Sequence, residues 1–144
     1  MIELDKVSYG FGGTALFSQL SLSLTAGSFH FLTGPSGAGK TTLLRLCYAD
    51  LLAPDGQVRL FGQDAAALDR DAVAMARRRI GVVHQDCAFL DHLTIAENIA
   101  LPLTVSDRAN EAAQNLPELL SWVGLGRQAE QLQPQLSGGE RQRA

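Results

Sequence analysis

Apolar and polar residues alternate over much of the first sixty positions, and helical spacing dominates later. Ile2-Glu3-Leu4-Asp5 alternates as an edge strand does, and Leu20-Ser21-Leu22-Ser23-Leu24 does so more clearly, with a turn following at Ala26-Gly27. Phe29 to Thr33 is an apolar run that reads as a strand. After it, Leu43, Leu44, Cys47, Tyr48 and Leu51 fall on or near one face of a helix candidate running from Leu43 to Leu51. Pro54-Asp55-Gly56 signals a turn, and Gln57 to Phe61 a short strand closed by Gly62. Asp69 to Arg78 predicts a weak helix, with an aspartate near its start and arginines near its end. Gly81-Val82-Val83-His84 reads as a buried strand that ends at Gln85-Asp86.

Beyond residue 86 the character changes. Thr94 with Glu97 three residues later is a capping-box pattern, and Pro102 is expected to break the helix that follows. Asp107 to Leu120 carries Ala109, Ala112, Ala113, Leu116 and Leu120 at helical spacing, with Pro117 expected to kink or restart the helix. The expected organisation is an α/β one: a sheet-containing core over 1–85, a mainly helical subdomain over 86–135, and the start of a further helix over 136–144. No internal repeat or low-complexity tract interrupts it.

Composition narrows the classes. The 144 residues are one domain's length, and an apolar content of 46% is enough for a core and against disorder. A net charge of −3 gives no support to a general nucleic-acid surface. Arg77-Arg78-Arg79, the one dense basic run, reads as a solvated helix end. Cys47 and Cys87 lack metal-site spacing, suit a reducing compartment, and read as core residues. No 18-residue apolar run and no signal-peptide pattern occur, so membrane association is expected to come through a partner.

Candidate chemistry centres on Gly34-Pro35-Ser36-Gly37-Ala38-Gly39-Lys40-Thr41-Thr42, which fits the phosphate-binding spacing G-x-x-x-x-G-K-[ST] between a strand candidate and a helix candidate. Glycines let successive N–H groups turn toward phosphate oxygens, and the following helix adds its positive end. Lys40, one of two lysines, can reach β- and γ-phosphates, and the Thr41 hydroxyl is placed to ligate Mg2+. Upstream, Phe11 is expected in a loop among Gly10, Gly12 and Gly13. It could stack on a purine ring or close a small satellite core, and Tyr9 competes for the first role. At the C-terminal end, Leu136-Ser137-Gly138-Gly139-Glu140 places two glycines after a serine at a helix start, a second anion-attracting arrangement about a hundred residues from the first. A pair of ATPase subunits that sandwiches ATP needs both.

With the phosphate loop and this pentapeptide together, the sequence resembles the nucleotide-binding domain of ABC transporter ATPases. The resemblance implies a P-loop NTPase fold with a mixed β-sheet core and helical subdomain, and ATP and Mg2+ as cofactors. It also implies adenine stacking on Phe11, and Gln85 as the Q-loop contact to metal and attacking water. Ser137, Gly138 and Gly139 would act on the nucleotide of a second such subunit. Three stretches, Phe31 to Lys40, Arg78-Arg79-Ile80-Gly81 and Leu93 to Leu103, resemble the cell-division branch (FtsE) and its lipoprotein-releasing and macrolide-export neighbours. That branch implies an integral membrane, FtsX-like partner, a place at the cytoplasmic face of the plasma membrane, and no nucleic acid. Two departures are small: His84 stands where an aromatic often precedes the glutamine, and Pro117 interrupts a helix usually continuous.

One departure is large. The family's next segment would bring the Walker B aspartate, the catalytic glutamate and the switch histidine, and none of these stands in the 144 residues. The sequence therefore reads as an N-terminal fragment with the C-terminal part of the core missing, and negligible hydrolysis is expected of it alone. A nucleotide-binding or docking role without catalysis is the alternative. A repair-type ATPase with the same pentapeptide would need a long coiled-coil insert, for which the 95 residues between Lys40 and Leu136 leave no room.

Overall fold

A computed structural model describes residues 1–84, 88–106 and 108–144. Gln85, Asp86, Cys87 and Asp107, which figure in the sequence reading, lie outside the described residues, as does the side chain of Ala112. The chain forms two compact units, Met1–Gly81 and Val82–Ala144.

The first unit is built on an antiparallel sheet of β1 (Ile2–Phe11), β2 (Thr14–Leu24), β3 (Asp55–Leu60) and β4 (Gln63–Asp64), ordered β2-β1-β3-β4. The stretch expected at an edge, Ile2 to Asp5, is central: Leu4 pairs with Leu22 on one side and Val58 on the other. Leu4 and Val7 both enter the core although an odd spacing places them on opposite faces of a regular strand. A register shift between them resolves this, with Lys6 at φ 48° and its N–H donating to the Ser21 hydroxyl at 3.0 Å. Gly56 presses against this bulge, where a Cβ would collide with the Lys6 carbonyl.

Helix α1 (Lys40–Cys47) lies on the sheet and buries Leu43, Leu46 and Cys47. The one-face expectation needs correcting here: Leu44 is exposed, and Leu46 is the fully buried anchor. Helix α2 (Arg70–Arg77) is capped by Asp69, whose carboxylate accepts from the Ala72 N–H at 2.8 Å. Arg77 and Arg79 are not merely a solvated helix end. Arg77 donates to the Tyr48 and Ala49 carbonyls at the end of α1, at 3.2 and 2.5 Å, and the Arg79 guanidinium lies 3.7 Å from the centre of the Phe61 ring.

Two expected strands do not form. Phe29 to Thr33 and Gly81 to His84 pair with none of the described strands, and their side chains face outward. Phe29 and Phe31 are 82% and 83% exposed, touching only edge to face at 4.9 Å between centroids, and Val83 is 100% exposed. An apolar run becomes a strand only by ladder pairing, and neither stretch pairs with the edges that β2 and β4 present.

The second unit holds α3 (Ile95–Thr104), α4 (Ala109–Trp122), short 3₁₀ turns over Gly126–Gln128 and Gln133–Gln135, and α5 (Gly138–Arg143). Its described interior is Ile95, Leu120, Leu125 and Leu136. The Thr94–Glu97 capping box forms as the spacing predicts. Pro102 does not end α3, because it costs one backbone bond and the ladder resumes with Val105 N–H to the Leu101 carbonyl at 2.9 Å. Likewise α4 runs through Pro117. Of its expected apolar face, Leu120 is buried and Leu116 half-buried, while Ala109 and Ala113 are exposed.

Candidate functional site: a phosphate loop and a serine–glycine helix start

The chain from Gly34 to Gly39 turns into α1 with Gly39 as the N-cap, at φ 89° and ψ 12°. Glycine is required there twice over. The left-handed conformation is strained for any other residue, and a Cβ would stand 2.7 Å from Leu16 and 2.8 Å from Phe17 on β2. Strand β2 therefore backs the loop, and the loop in turn fixes where α1 starts. Within the loop the Ala38 N–H donates to the Pro35 carbonyl at 3.3 Å, and the Leu43 N–H returns to the Gly39 carbonyl at 2.9 Å.

Lys40, the first helical residue, folds back over the loop. Its ammonium donates to the Gly34 and Pro35 carbonyls at 2.8 and 2.7 Å. The loop thus carries a positive charge held by neutral acceptors, free to exchange them for a stronger anionic one. No side chain caps α1, so its first-turn N–H groups have neither an intrahelical acceptor nor a side-chain one. The donor set over 34–42 is one ammonium, the Ser36, Thr41 and Thr42 hydroxyls and backbone amides, with no carboxylate. This set fits a polyphosphate, and the Thr41 hydroxyl fits a hard cation that bridges phosphate oxygens.

Phe11 ends β1 instead of lying in a loop and pairs with Thr14 across the Gly12-Gly13 turn. It is 57% exposed. Tyr9, its rival, is half-buried against the core and meets Phe11 edge to face at 5.2 Å. Phe11 thus has the freer ring face, and Tyr9 supports it.

The start of α5 is organised in another way. Ser137 is the N-cap, and its Oγ accepts from the Glu140 N–H at 3.3 Å while its hydroxyl donates to Glu140 Oε2 at 2.6 Å. The Ser137 N–H donates to the same oxygen at 2.8 Å, and Gln128 Nε2 donates to Glu140 Oε1 at 2.9 Å. These bonds, the Ser137 hydroxyl first among them, hold the Glu140 carboxyl below its ordinary value. The sequence reading missed Glu140 and Gln128. The Ser-x-x-Glu spacing was a usable signal for the first; nothing local marks the second. Gly138 and Gly139 have ordinary φ, and no atom lies closer than 3.8 Å to a Cβ at either. The fold itself does not ask for glycine at these two positions.

Within α3, Asn98 fixes the segment that leads into the helix. Its amide donates to the Leu90, Leu93 and Thr94 carbonyls at 3.2, 3.1 and 2.9 Å, and its oxygen accepts from the Leu90 N–H at 2.8 Å. The first N–H groups of α3 donate to the Gln131 and Ala129 carbonyls, at 2.9 Å each, so the approach to Ser137 is tied to the same helix start. Cys47 is buried, which pushes its thiol up to about 11 and leaves it unreactive packing. Among the described residues no cluster of side chains could hold a metal by itself, and no helix is long and apolar enough to cross a membrane.

A glycine-rich loop feeding an uncapped helix against an antiparallel sheet, in a chain whose second unit is helical, defines a P-loop NTPase of the ABC ATPase type. The ABC transporter family model matches residues 17–144, and the chain belongs to that family. It is 41% identical over 145 residues to the methionine import ATP-binding protein MetN of Brucella abortus, covering 99% of this chain and 39% of that one. It is 39% identical over 146 residues to the cell division ATP-binding protein FtsE of Haemophilus influenzae, covering 99% of this chain and 67% of that one. The chain thus spans between about two fifths and two thirds of the length of these relatives. Among solved structures, a dimeric ATP-binding cassette in a post-hydrolysis state with ADP and Pi matches at a TM-score of 0.86 and 31% identity, over 99% of this chain and 66% of that one. A dimeric bacterial ABC transporter cassette matches at 0.87 and 32%, with the same coverage.

Proposed function

We propose that this chain is the ATP-binding part of an ABC-type complex that couples ATP hydrolysis to an integral membrane partner at the cytoplasmic face of the plasma membrane. The observation that carries the reading is the start of α1, where the Lys40 ammonium rests on two loop carbonyls beside N–H donors that no side chain caps. Lys40 and the amides of 34–42 would hold the β- and γ-phosphates, Phe11 the adenine, and Thr41 and Gln85 the metal. Magnesium, when bound, neutralises phosphate charge. Ser137, Gly138 and Gly139 would close over the nucleotide of a second subunit, and the unforced glycines there support a close approach by a ligand. The dimeric state of the two solved cassettes supports a pair of such subunits.

The general base of the family lies in the segment after the pentapeptide, so residues 1–144 alone are expected to bind ATP with negligible turnover. Equilibrium binding of a fluorescent ATP analogue tests the reading. Lys40→Ala should weaken it roughly 100-fold, the worth of a charge-assisted contact of about 3 kcal/mol. No saturable binding by the unmodified chain would sink the proposal.

For the cellular role we propose an FtsE-like function in cell division with an FtsX-like membrane partner, supported by the Leu93–Leu103 stretch and the match to FtsE. The match to MetN favours a second reading, an import ATPase; the lipoprotein-releasing and macrolide-export types share the same stretches. Deleting the gene separates the first two. Filamentous cells with normal growth on trace methionine support division, and the opposite pair of phenotypes supports import.

A further inference from the structure

Helix α5 has only six residues and buries none of them, so side-chain bonds fix where its first residues stand. At its far end Arg143 Nε donates to the Val123 carbonyl at 3.0 Å, where α4 ends. At its start Gln128 Nε2 donates to Glu140 Oε1 at 2.9 Å, across 12 residues of chain. Gln128 is itself well anchored. Its N–H donates to the carbonyl of fully buried Leu125 at 3.0 Å, and its carbonyl accepts from the Gln131 N–H at 2.9 Å. The other oxygen of Glu140 accepts from the Ser137 hydroxyl and N–H, at 2.6 and 2.8 Å. One carboxylate thus joins an anchored amide to the serine.

The Ser137 hydroxyl has a single hydrogen, which a phosphate oxygen would have to draw from Glu140. The carboxylate that gives it up must stay in place, because Oε2 still accepts the Ser137 N–H. Its charge must also be offset, because it would then lie beside a second anion. Gln128 does both with one bond, fixing Oε1 and setting an N–H dipole against the negative charge. Arg143 favours the ionised carboxylate through space, with its Nε committed to Val123. We propose that Gln128 is a positioning residue for ATP hydrolysis: by holding Glu140, it sets the Ser137 hydroxyl to meet the nucleotide of a second subunit. The inference rests on the reading that Ser137 acts on that nucleotide. Without the Gln128 bond the carboxylate is free to change rotamer, and the serine loses the partner that orients it.

The test is steady-state ATP hydrolysis by the full-length protein, with Ser137→Ala as the reference variant. Gln128→Met keeps the side chain's length and removes the donor. It should lower kcat about tenfold, the usual loss with a bond to a charged group. Affinity for a fluorescent ATP analogue, which the Lys40 loop sets, should change by less than about twofold. Gln128→Arg carries its Nε at the same place along the side chain as the glutamine Nε2, and should restore kcat to within about threefold. Combined with Ser137→Ala, Gln128→Met should lower kcat no further, since it acts through the serine. An unchanged kcat in Gln128→Met, no recovery in Gln128→Arg, a loss that adds in full to that of Ser137→Ala, or a loss matched by unfolding at the assay temperature would overturn the inference and leave the reading of Ser137 standing. A full-length protein without turnover, or a Ser137→Ala variant as active as its parent, would overturn that reading and the inference with it.

Discussion

Two glycine-rich helix starts in this chain solve the same problem in opposite ways. Both α1 and α5 begin with backbone N–H groups that no turn of helix precedes. At α1 the cap is Gly39, which has no side chain to offer, and a lysine stands over the loop. At α5 the cap is Ser137, and Glu140 answers it, so the helix start is closed by its own side chains. The glycines differ as well. Gly39 is imposed by the fold, through its left-handed backbone and the contact with Leu16 and Phe17, whereas Gly138 and Gly139 are not. One start leaves its donors open. The other is closed by its own serine and glutamate.

Gly39→Ala tests the first half of the comparison and has the largest expected effect. Left-handed strain alone should cost about 2 kcal/mol, with more from displacing Leu16 and Phe17. Gly139→Ala, by contrast, should leave stability unchanged or raise it by about 0.5–1 kcal/mol, because it places a better helix former in α5. Urea denaturation of the two variants side by side measures both. Equal losses would mean that the two glycine sets are alike and the comparison fails.

Ser137→Ala tests the second half. It removes a cap worth about 1 kcal/mol, which should speed amide exchange at Glu140 and Arg141 by roughly fivefold and leave α1 untouched. Unchanged exchange would mean that the α5 start does not rely on its serine.

These contrasts show where the sequence is legible. The phosphate loop could be read because its chemistry is local: nine consecutive residues hold the turn, the charge and the hydroxyl. The Thr94–Glu97 cap could be read for the same reason, and Ser137–Glu140 has the same spacing. Phe29 to Thr33 and Gly81 to His84 form no strand despite their apolar residues, because a strand is a property of its neighbours, and apolarity alone cannot supply a ladder. Ile2 to Asp5 was misplaced at an edge because alternation says which face is buried and not how many partners a strand has. Arg77 bonds to carbonyls 28 and 29 residues away, and Gln128 to a carboxylate 12 residues on, distances at which no pattern of spacing operates.

The finest probe of the contrast is the acid titration of Glu140. Its folded carboxyl sits below the ordinary glutamate value because the ionised form accepts from the Ser137 hydroxyl and N–H and from Gln128. A depressed folded value means that the unfolded chain takes up the proton first as pH falls. The closed helix start therefore contributes fully above the ordinary glutamate value and loses that contribution as pH drops through the depressed one. Glu97, which accepts from the Thr94 N–H and hydroxyl, should behave the same way at α3, while α1, with no carboxylate at its start, should show no such step. Carbon-detected NMR of the side-chain carboxyls follows each group separately. Ser137→Ala should raise the Glu140 midpoint more than Gln128→Ala does, since the serine hydroxyl is the larger cause. If neither substitution moves it, the Ser137 hydroxyl is not held by Glu140 in solution, and the two helix starts are open alike.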